Sequence, residues 1–283
     1  MKEIIGTSMD KTIEFDRLGK LNAKNGKKIL SFLEDKAHLQ TLSTNNLIVA
    51  VFTTKKLSKK ISKKTTILTD NPKYDFGEFH NYLVTKTQFY DRQRRNKSGI
   101  SKSAILESSE ISNDVSIGPH SRIEYPSVIL SNVEIGKNVQ IAPHVIVGEE
   151  GEFFAKKGNK ILRFIFDGGV IIEDEVKIQS LVSIKRGLFG NNTIISNGCT
   201  IGSFSNIGHD VKLGRNCYLA SGSIISGGCI VGENCFFGVN SCVKNGIKIG
   251  NNCIIGAGTV VIKDIKNYSV VVGVPGHIIK KNK

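Results

Sequence analysis

One histidine, His209, lies in the stretch TIGSFSNIGHDVKLG (residues 200–214), whose other residues are mostly small, turn-forming or aliphatic. An imidazole accepts and returns protons near neutral pH. Asp210 follows it directly and is a candidate to orient or polarise the ring, although it also stands where a turn residue is expected. Gly227, further along the chain, offers a backbone N–H that no side chain shields. A base beside such a donor suits acyl transfer, in which an oxyanion develops.

Whether these residues meet depends on a six-residue repeat of apolar side chains. The repeat has no break from Ile105 to Val147, and none from Ile195 to Val261. A period of six fits neither an amphipathic helix nor an alternating strand. It predicts a mainly β protein, a parallel β-helix with six residues per side and three sides per coil. Three sides then separate His209 from Gly227, which should stack on it in the next coil at one strand spacing, about 4.8 Å.

Two other positions of the repeat support this prediction. Gly, Asn or Asp usually stands three residues after each apolar residue, as corners with unusual backbone angles require. Small residues usually stand four residues after it, and five of the six cysteines occupy this position. We therefore expect these cysteines to be reduced packing groups, and their spacing argues against a zinc site. No metal is expected.

Residues 1–100 lack the repeat and predict a small α/β domain. Asn46–Thr54 and Lys64–Asp70 have the composition of strands, and Gly26–Leu42 and Phe76–Arg95 have apolar spacing typical of helices.

The β-helix is expected over residues 101–265, followed by a cap or tail at 266–283. An aromatic-rich excursion, residues 148–169, interrupts it. Loops that leave a rigid scaffold often carry function.

The net charge of +14 favours anionic partners such as nucleotides and coenzyme phosphates. The basic run Lys55–Lys64 is interpreted as a solvated surface, and no aromatic-interleaved nucleic-acid motif accompanies it. No apolar stretch approaches the roughly 20 residues that span a bilayer, and Met1–Phe15 lacks a signal-peptide core. We therefore expect a cytoplasmic protein with no nucleic-acid partner and no integral membrane association.

Several segments resemble a known family, the UDP-3-O-acylglucosamine N-acyltransferases of lipid A synthesis. They are KKILSFLEDKAHL (27–39), DNPKYDF (70–76), GEEGEFFA (148–155) and the central coils from Gly168 to Gly214, which include IGH. The final segment GAGTVVIKDIKNYSVVVGVPGHIIKK (256–281) instead resembles sugar acetyltransferases of the bacillosamine and sialic-acid type.

The resemblance implies a left-handed β-helix and a homotrimer with active sites in the grooves between subunits. It makes His209 the general base toward the amine of a nucleotide-linked amino sugar. It assigns nucleotide binding to Phe32, Asp35, His38, Asn71 and Pro72, and sugar binding to Ser203 and Phe153. The second resemblance favours acyl-CoA, acetyl-CoA above all, as the donor, bound by Gly256, Ala257, Lys263 and Lys280.

Several alternatives stay open. The base is uridine or thymidine, and the donor is acyl-CoA or acyl carrier protein carrying acetyl or 3-hydroxyacyl groups. The product would serve bacterial surface polysaccharide such as O-antigen, or else lipid A. A non-catalytic β-helix for assembly is a second class. A γ-class carbonic anhydrase is a third, but His120, His144 and His209 are too scattered to form its zinc site.

Overall fold

The computed structural model describes residues 12–24, 26, 28–90 and 99–281. It divides into two compact units: the described part of Met1–Arg92 together with Glu152–Ile165, and the described part of Gln93–Lys283 without that segment. Most of Met1–Phe15, on which the absence of a signal peptide was judged, lies outside the described residues. So do residues 91–95 of the helix expected over Phe76–Arg95, and the helix that the structure shows there already ends at Lys86.

The first unit contains a four-stranded parallel sheet in chain order: β1 (Arg17–Leu18), β2 (Ile29–Leu33), β3 (Ile48–Thr53) and β4 (Thr65–Leu68). β3 and β4 confirm the two strands expected from composition. β2 corrects the helix expected over Gly26–Leu42. A short apolar run has the same pattern in a buried strand and in a buried helix, so periodicity alone could not separate them.

The helices of this unit lie on the connections. A 3-10 turn (Lys36–His38) leads into α1 (Leu39–Thr44), α2 (Lys55–Ser58) follows β3, and α3 (Pro72–Lys86) follows β4. Proline at the first position of α3 suits a helix start, because its missing N–H would have no partner there.

An antiparallel hairpin, Phe154–Lys157 with Lys160–Arg163, lies against α3 and belongs to the first unit. Asn81 donates to the carbonyl of Arg163 at 2.8 Å and accepts from the N–H of Ile165 at 2.9 Å. The ring of buried His80 contacts the Ile165 carbonyl at 2.8 Å, and burial lowers its pKa to about 4. The middle of the expected excursion therefore folds with the first unit.

The second unit is a parallel β-helix with three faces, as the six-residue repeat predicted. The first face consists of Gly99–Ile100, Ser116–Ile117, Val133–Ile135, Gly169–Ile172, Asn192–Ile195, Lys212–Leu213, Ile230–Val231 and Lys248–Ile249. The second consists of Ile105–Leu106, Arg122–Ile123, Gln140–Ile141, Lys177–Ile178, Thr200–Ile201, Tyr218–Leu219, Phe236–Phe237, Ile254–Ile255, Ser269–Val272 and His277–Lys281. The third consists of Glu110–Ile111, Val128–Ile129, Ile146–Glu149, Ser183–Lys185, Asn206–Ile207, Ile224–Ile225, Cys242–Val243 and Val260–Val261.

The repeat residues fill the narrow interior, where one continuous apolar cluster runs along the coils. The five cysteines of the small-residue position are buried, whereas Cys242 is half-buried. Four of them, Cys199, Cys217, Cys235 and Cys253, recur once per coil, and each Sγ donates to a backbone carbonyl at 3.1 Å. The prediction that these cysteines are packing groups is confirmed.

The register shows two insertions. Ile135 pairs with Ile172, and the coil between them is longer than a regular one because it contains the excursion. Ile172 pairs with Ile195, and this coil is also longer because residues 186–191 form an additional loop. From there the coils keep one constant length up to Val261, as in the pairing of Ile207 with Ile225.

At the end of the β-helix, Ser269–Val272 adds in parallel to Ile254–Ile255, and His277–Lys281 returns antiparallel to it. Within the described ranges, none of the helices is long and apolar enough to cross a bilayer.

Candidate active site

His209 lies at the corner between the third and first faces of the β-helix. Its side chain is outside the apolar core, as the sequence predicted, yet the residue is only 9% exposed. The cover comes from the two ends of the excursion. Phe166 meets the imidazole edge to face with ring centroids 5.3 Å apart, and a Cβ on Gly151 would lie 3.0 Å from the imidazole Cδ2. A merely solvated surface histidine is thereby excluded.

Asp210 turns the corner and also holds the ring. Its φ of 60° is the left-handed conformation that aspartate tolerates better than most residues. One carboxylate oxygen lies 3.0 Å from His209 Nδ1, and the other accepts from the N–H of Leu188 at 2.9 Å. With Nδ1–H donated to the carboxylate, the neutral imidazole carries its lone pair on Nε2.

Gly227 stacks on His209 in the next coil. Pairing of Asn206 with Ile224 and of Ile207 with Ile225 fixes this register, and the N–H of Gly228 donates to the His209 carbonyl at 2.7 Å. A Cβ on Gly227 would lie 2.5 Å from Nε2, so the site has room for glycine alone. Within the described part of the chain, the Gly227 N–H donates to no protein acceptor.

A second buried carboxylate, Asp167, supports this site and was missed by the sequence analysis. The Asp167 carboxylate accepts a hydrogen bond from the N–H of Phe189 at 2.8 Å. The preceding residue, Leu188, donates its N–H to Asp210. Burial above all, together with the charge of Asp210, raises the pKa of Asp167 to about 7, although backbone N–H groups lower it. Two carboxylates therefore hold the loop 186–191 beside the imidazole. The available signal was the long gap between Ile184 and Ile195 in a six-residue repeat.

The residues expected to bind the acyl donor are divided between the two corners that flank the third face. Lys263 is exposed and follows Val261 as His209 follows Ile207, so it belongs to the same corner column two coils beyond Gly227. Gly256 and Ala257 lie at the opposite corner, three coils beyond Ser203.

Ser203, expected to contact the sugar, is thus one corner before His209, and its carbonyl accepts from the N–H of Gly222 at 2.8 Å. Lys280 is exposed on the last strand, paired with Val270. Within one chain, neither Ser203 nor Lys280 lies next to the imidazole of His209.

The expected nucleotide-binding residues lie at one edge of the sheet in the first unit. Phe32, near the end of β2, is half-buried against Phe76, with ring centroids 5.0 Å apart. Asp35 is exposed, and its carboxylate accepts from the N–H of Ala37 at 2.9 Å as the cap of the 3-10 turn that ends at His38.

Asn71 and Pro72 begin α3 at the same edge. The Asn71 N–H donates to the Thr69 hydroxyl at 3.1 Å, and its carbonyl accepts from the N–H of Asp75 at 3.0 Å. Pro72 is buried. Asn71 is half-buried, and it makes no side-chain cap bond to the helix.

Phe153, the other expected sugar contact, belongs to the first unit. Its ring meets Phe164 edge to face at 4.8 Å, and two lysine ammonium groups lie over it. Among the described residues, no three His, Cys, Asp or Glu side chains are grouped as a metal site would need.

The regular coils match two descriptions of hexapeptide repeats. Residues 192–227 match the bacterial transferase hexapeptide (six repeats), and residues 228–263 match the hexapeptide repeat of succinyl-transferase. Together they span about a quarter of the chain, and the first of the two matched stretches contains both His209 and Gly227.

Curated relatives share part of this region. UDP-3-O-acylglucosamine N-acyltransferase 2 of Legionella pneumophila is 36% identical over 69 residues, which are 24% of this chain and 20% of the relative. UDP-3-O-acylglucosamine N-acyltransferase of Chromohalobacter salexigens is 39% identical over 69 residues, again 24% of this chain and 20% of the relative. The matched region thus spans about a fifth of the length of these acyltransferases.

Solved structures show the fold. The UDP-N-acetylglucosamine acyltransferase of Bacteroides fragilis superposes with a TM-score of 0.52 and 23% identity, over 65% of this chain and 72% of that chain. The architecture is a left-handed parallel β-helix, preceded in the chain by a small α/β unit.

Proposed function

We propose that this chain, whose coils carry the transferase hexapeptide repeat, is an N-acyltransferase that moves an acyl group from a thioester to the amine of a nucleotide-linked amino sugar. The observation that carries the proposal is the His209–Asp210 pair beneath the backbone of Gly227. Acyl transfer needs a base on the nucleophile and a donor for the oxyanion at adjacent positions, and this corner offers both.

In the proposed mechanism, Nε2 of His209 accepts a proton as the amine attacks the thioester carbonyl. Asp210 stabilises the imidazolium that results, and the N–H of Gly227 donates to the oxyanion of the tetrahedral intermediate. Collapse of the intermediate breaks the C–S bond, and His209 returns its proton to the thiolate. A new C–N bond, an amide and a free thiol result, with no enzyme-bound acyl group and no metal.

The acyl donor is proposed to be acyl-CoA, with acetyl-CoA first. Lys263 and Lys280 would pair with its phosphates, and Gly256 and Ala257 would line the pantetheine path. A homotrimer would complete the site, because the expected donor residues lie on both corners of the third face. The product would serve bacterial surface polysaccharide.

A second candidate is transfer from acyl carrier protein to UDP-3-O-acylglucosamine. The 69-residue similarity to enzymes of that name favours it. A screen of acetyl-CoA against 3-hydroxyacyl carrier protein, with UDP- and dTDP-amino sugars, decides between the two.

The test of the site is His209→Ala in the purified chain, assayed by thiol release and by mass spectrometry of the acylated sugar. We expect turnover to fall by at least about 100-fold, since proton transfer contributes about 10²–10⁴-fold. The matched control is His120→Asn, which changes an exposed histidine with a φ of 60° that asparagine tolerates. Unchanged turnover in His209→Ala, with the trimer intact by light scattering, would remove this histidine from the mechanism.

A further inference from the structure

Two lysines and a glutamate lie at the carboxyl edge of the sheet in the first unit. Lys20 follows β1, Glu34 follows β2, and Lys73 is the second residue of α3, the helix that follows β4. The strands are parallel, so these residues share one edge. In open α/β sheets, ligands bind in the crevice outside this edge.

Two of these charges converge on one aromatic ring. The Nζ atoms of Lys20 and Lys73 lie 5.2 and 4.5 Å from the centroid of Phe153, so the two ammonium groups share that ring. The Lys73 Nζ also lies 5.9 Å from the centroid of Phe154. Contact of Phe153 with Phe164 fixes the ring beneath them.

This arrangement disfavours the charged form of Lys73. Burial lowers the pKa of Lys73, and the charge of Lys20 lowers it further, while Glu34 raises it. Lys73 is also the second residue of α3, where the helix dipole disfavours a cation.

Asp75, two residues after Lys73 on α3, is engaged with other groups. Asp75 already accepts from the hydroxyl of Thr69 and lies 3.5 Å from the Nζ of Lys157. Lys73, partly desolvated and repelled by Lys20 above the same ring, with the exposed carboxylate of Glu34 as an opposing charge, is placed where an anion would stabilise its charged form.

We propose that Lys20, Lys73 and Phe153 form the subsite for the diphosphate of the nucleoside diphosphate substrate. This assignment rests on the proposed function, and it places Phe153 beside the phosphates rather than on the sugar alone. Asp35 and His38 follow the same strand as Glu34, so the nucleoside expected there lies at the same sheet edge.

The experiment measures binding to the full chain by calorimetry, without any acyl donor. The probes are UDP, dTDP, GDP, CDP, ADP, inorganic pyrophosphate and the nucleosides uridine and thymidine. Lys20→Met and Lys73→Met keep the aliphatic stem and remove the charge. Each should weaken diphosphate binding about tenfold, and the double variant about 100-fold, as a lost charge-assisted hydrogen bond predicts. The affinity of the matching nucleoside should stay within twofold.

The control is Lys86→Met, which removes an exposed charge from the other end of α3 and should leave all affinities unchanged. The wild-type affinity for diphosphates should also fall more steeply with salt than that of the double variant. Equal diphosphate affinity in the wild type and the double variant would overturn the subsite, as would a wild type that binds none of the probes. Charge-dependent binding without acyl transfer to any amino sugar would keep the subsite and refute the proposed function.

Discussion

The coils from residue 192 to residue 261 and the coils between residues 148 and 191 obey the repeat to different degrees. The first group keeps one constant coil length on all three faces. The second contains the excursion and the 186–191 loop, so its paired strands are separated by longer stretches of chain. The regular coils supply His209 and Gly227, and the irregular ones supply the groups that cover and hold the imidazole. The repeat thus determines the positions of His209 and Gly227, and the segments that interrupt it supply the side chains and N–H groups around the imidazole.

The largest loss of turnover is expected from a single methyl group added in the regular coils. In Gly227→Ala the new Cβ would meet the imidazole at 2.5 Å from Nε2, so the ring must move. A displacement of about 1 Å costs about 100-fold in rate, and we expect kcat to fall by that factor in the thiol-release assay. The control is Gly99→Ala, because a Cβ at that glycine meets nothing within 4 Å. A Gly227→Ala enzyme with wild-type kcat would show that the stacked register is not used in catalysis.

A smaller loss of turnover is expected at Asp210, which joins the regular coils to the 186–191 loop. The Asp210 carboxylate accepts from both His209 and the Leu188 N–H, whereas an asparagine offers only one acceptor oxygen. Asp210→Asn should lower kcat about 10- to 100-fold with little change in KM, since asparagine also tolerates the left-handed backbone.

Asp114→Asn is the matched control for this substitution. Its carboxylate also accepts two hydrogen bonds, from the Ser131 hydroxyl at 2.6 Å and the Asn132 N–H at 3.1 Å, but on an early coil. If both variants lose the same activity, Asp210 has no special relation to the imidazole.

The smallest effect on turnover, less than about tenfold, is expected on the irregular side, from Asp167→Asn. Its main effect is on stability. Because the folded pKa is raised to about 7 from an ordinary 3.8, Asp167 stabilises the fold fully below pH 3.8 and loses that contribution as the pH rises through about 7. Relative to Asp167→Asn, the wild type should therefore lose unfolding free energy between pH 5 and pH 8, on the order of a few kcal/mol.

Urea unfolding of both proteins at the two pH values measures this difference. Buried His80 titrates in both proteins, so its contribution cancels in the comparison. A stability difference that does not change with pH would mean that Asp167 is ionised throughout.

The contrast between the regions also explains how much the sequence revealed. The six-residue period predicted the three-faced coil, the buried cysteines and the stacking of Gly227 on His209, because in a regular β-helix residue number determines position. Phe166, Asp167 and Leu188 lie outside the repeat, so their residue numbers do not predict their positions. Their places depend on how non-repeating segments return to the coil, and no period encodes that return. The strand at Ile29–Leu33 was missed for a related reason, because its pattern is too short to have a period.

The buried cysteines can serve as probes of local opening in the β-helix. Burial raises the pKa of the Cys229 thiol to about 11, and the column from Cys199 to Cys253 is shielded inside the coils. An alkylating reagent can reach these sulfurs only when a coil detaches from its neighbour, whereas half-buried Cys242 is open to slow labelling in the intact protein. Mass spectrometry of timed labelling would then report, thiol by thiol, how far from the end of the β-helix its coils fray.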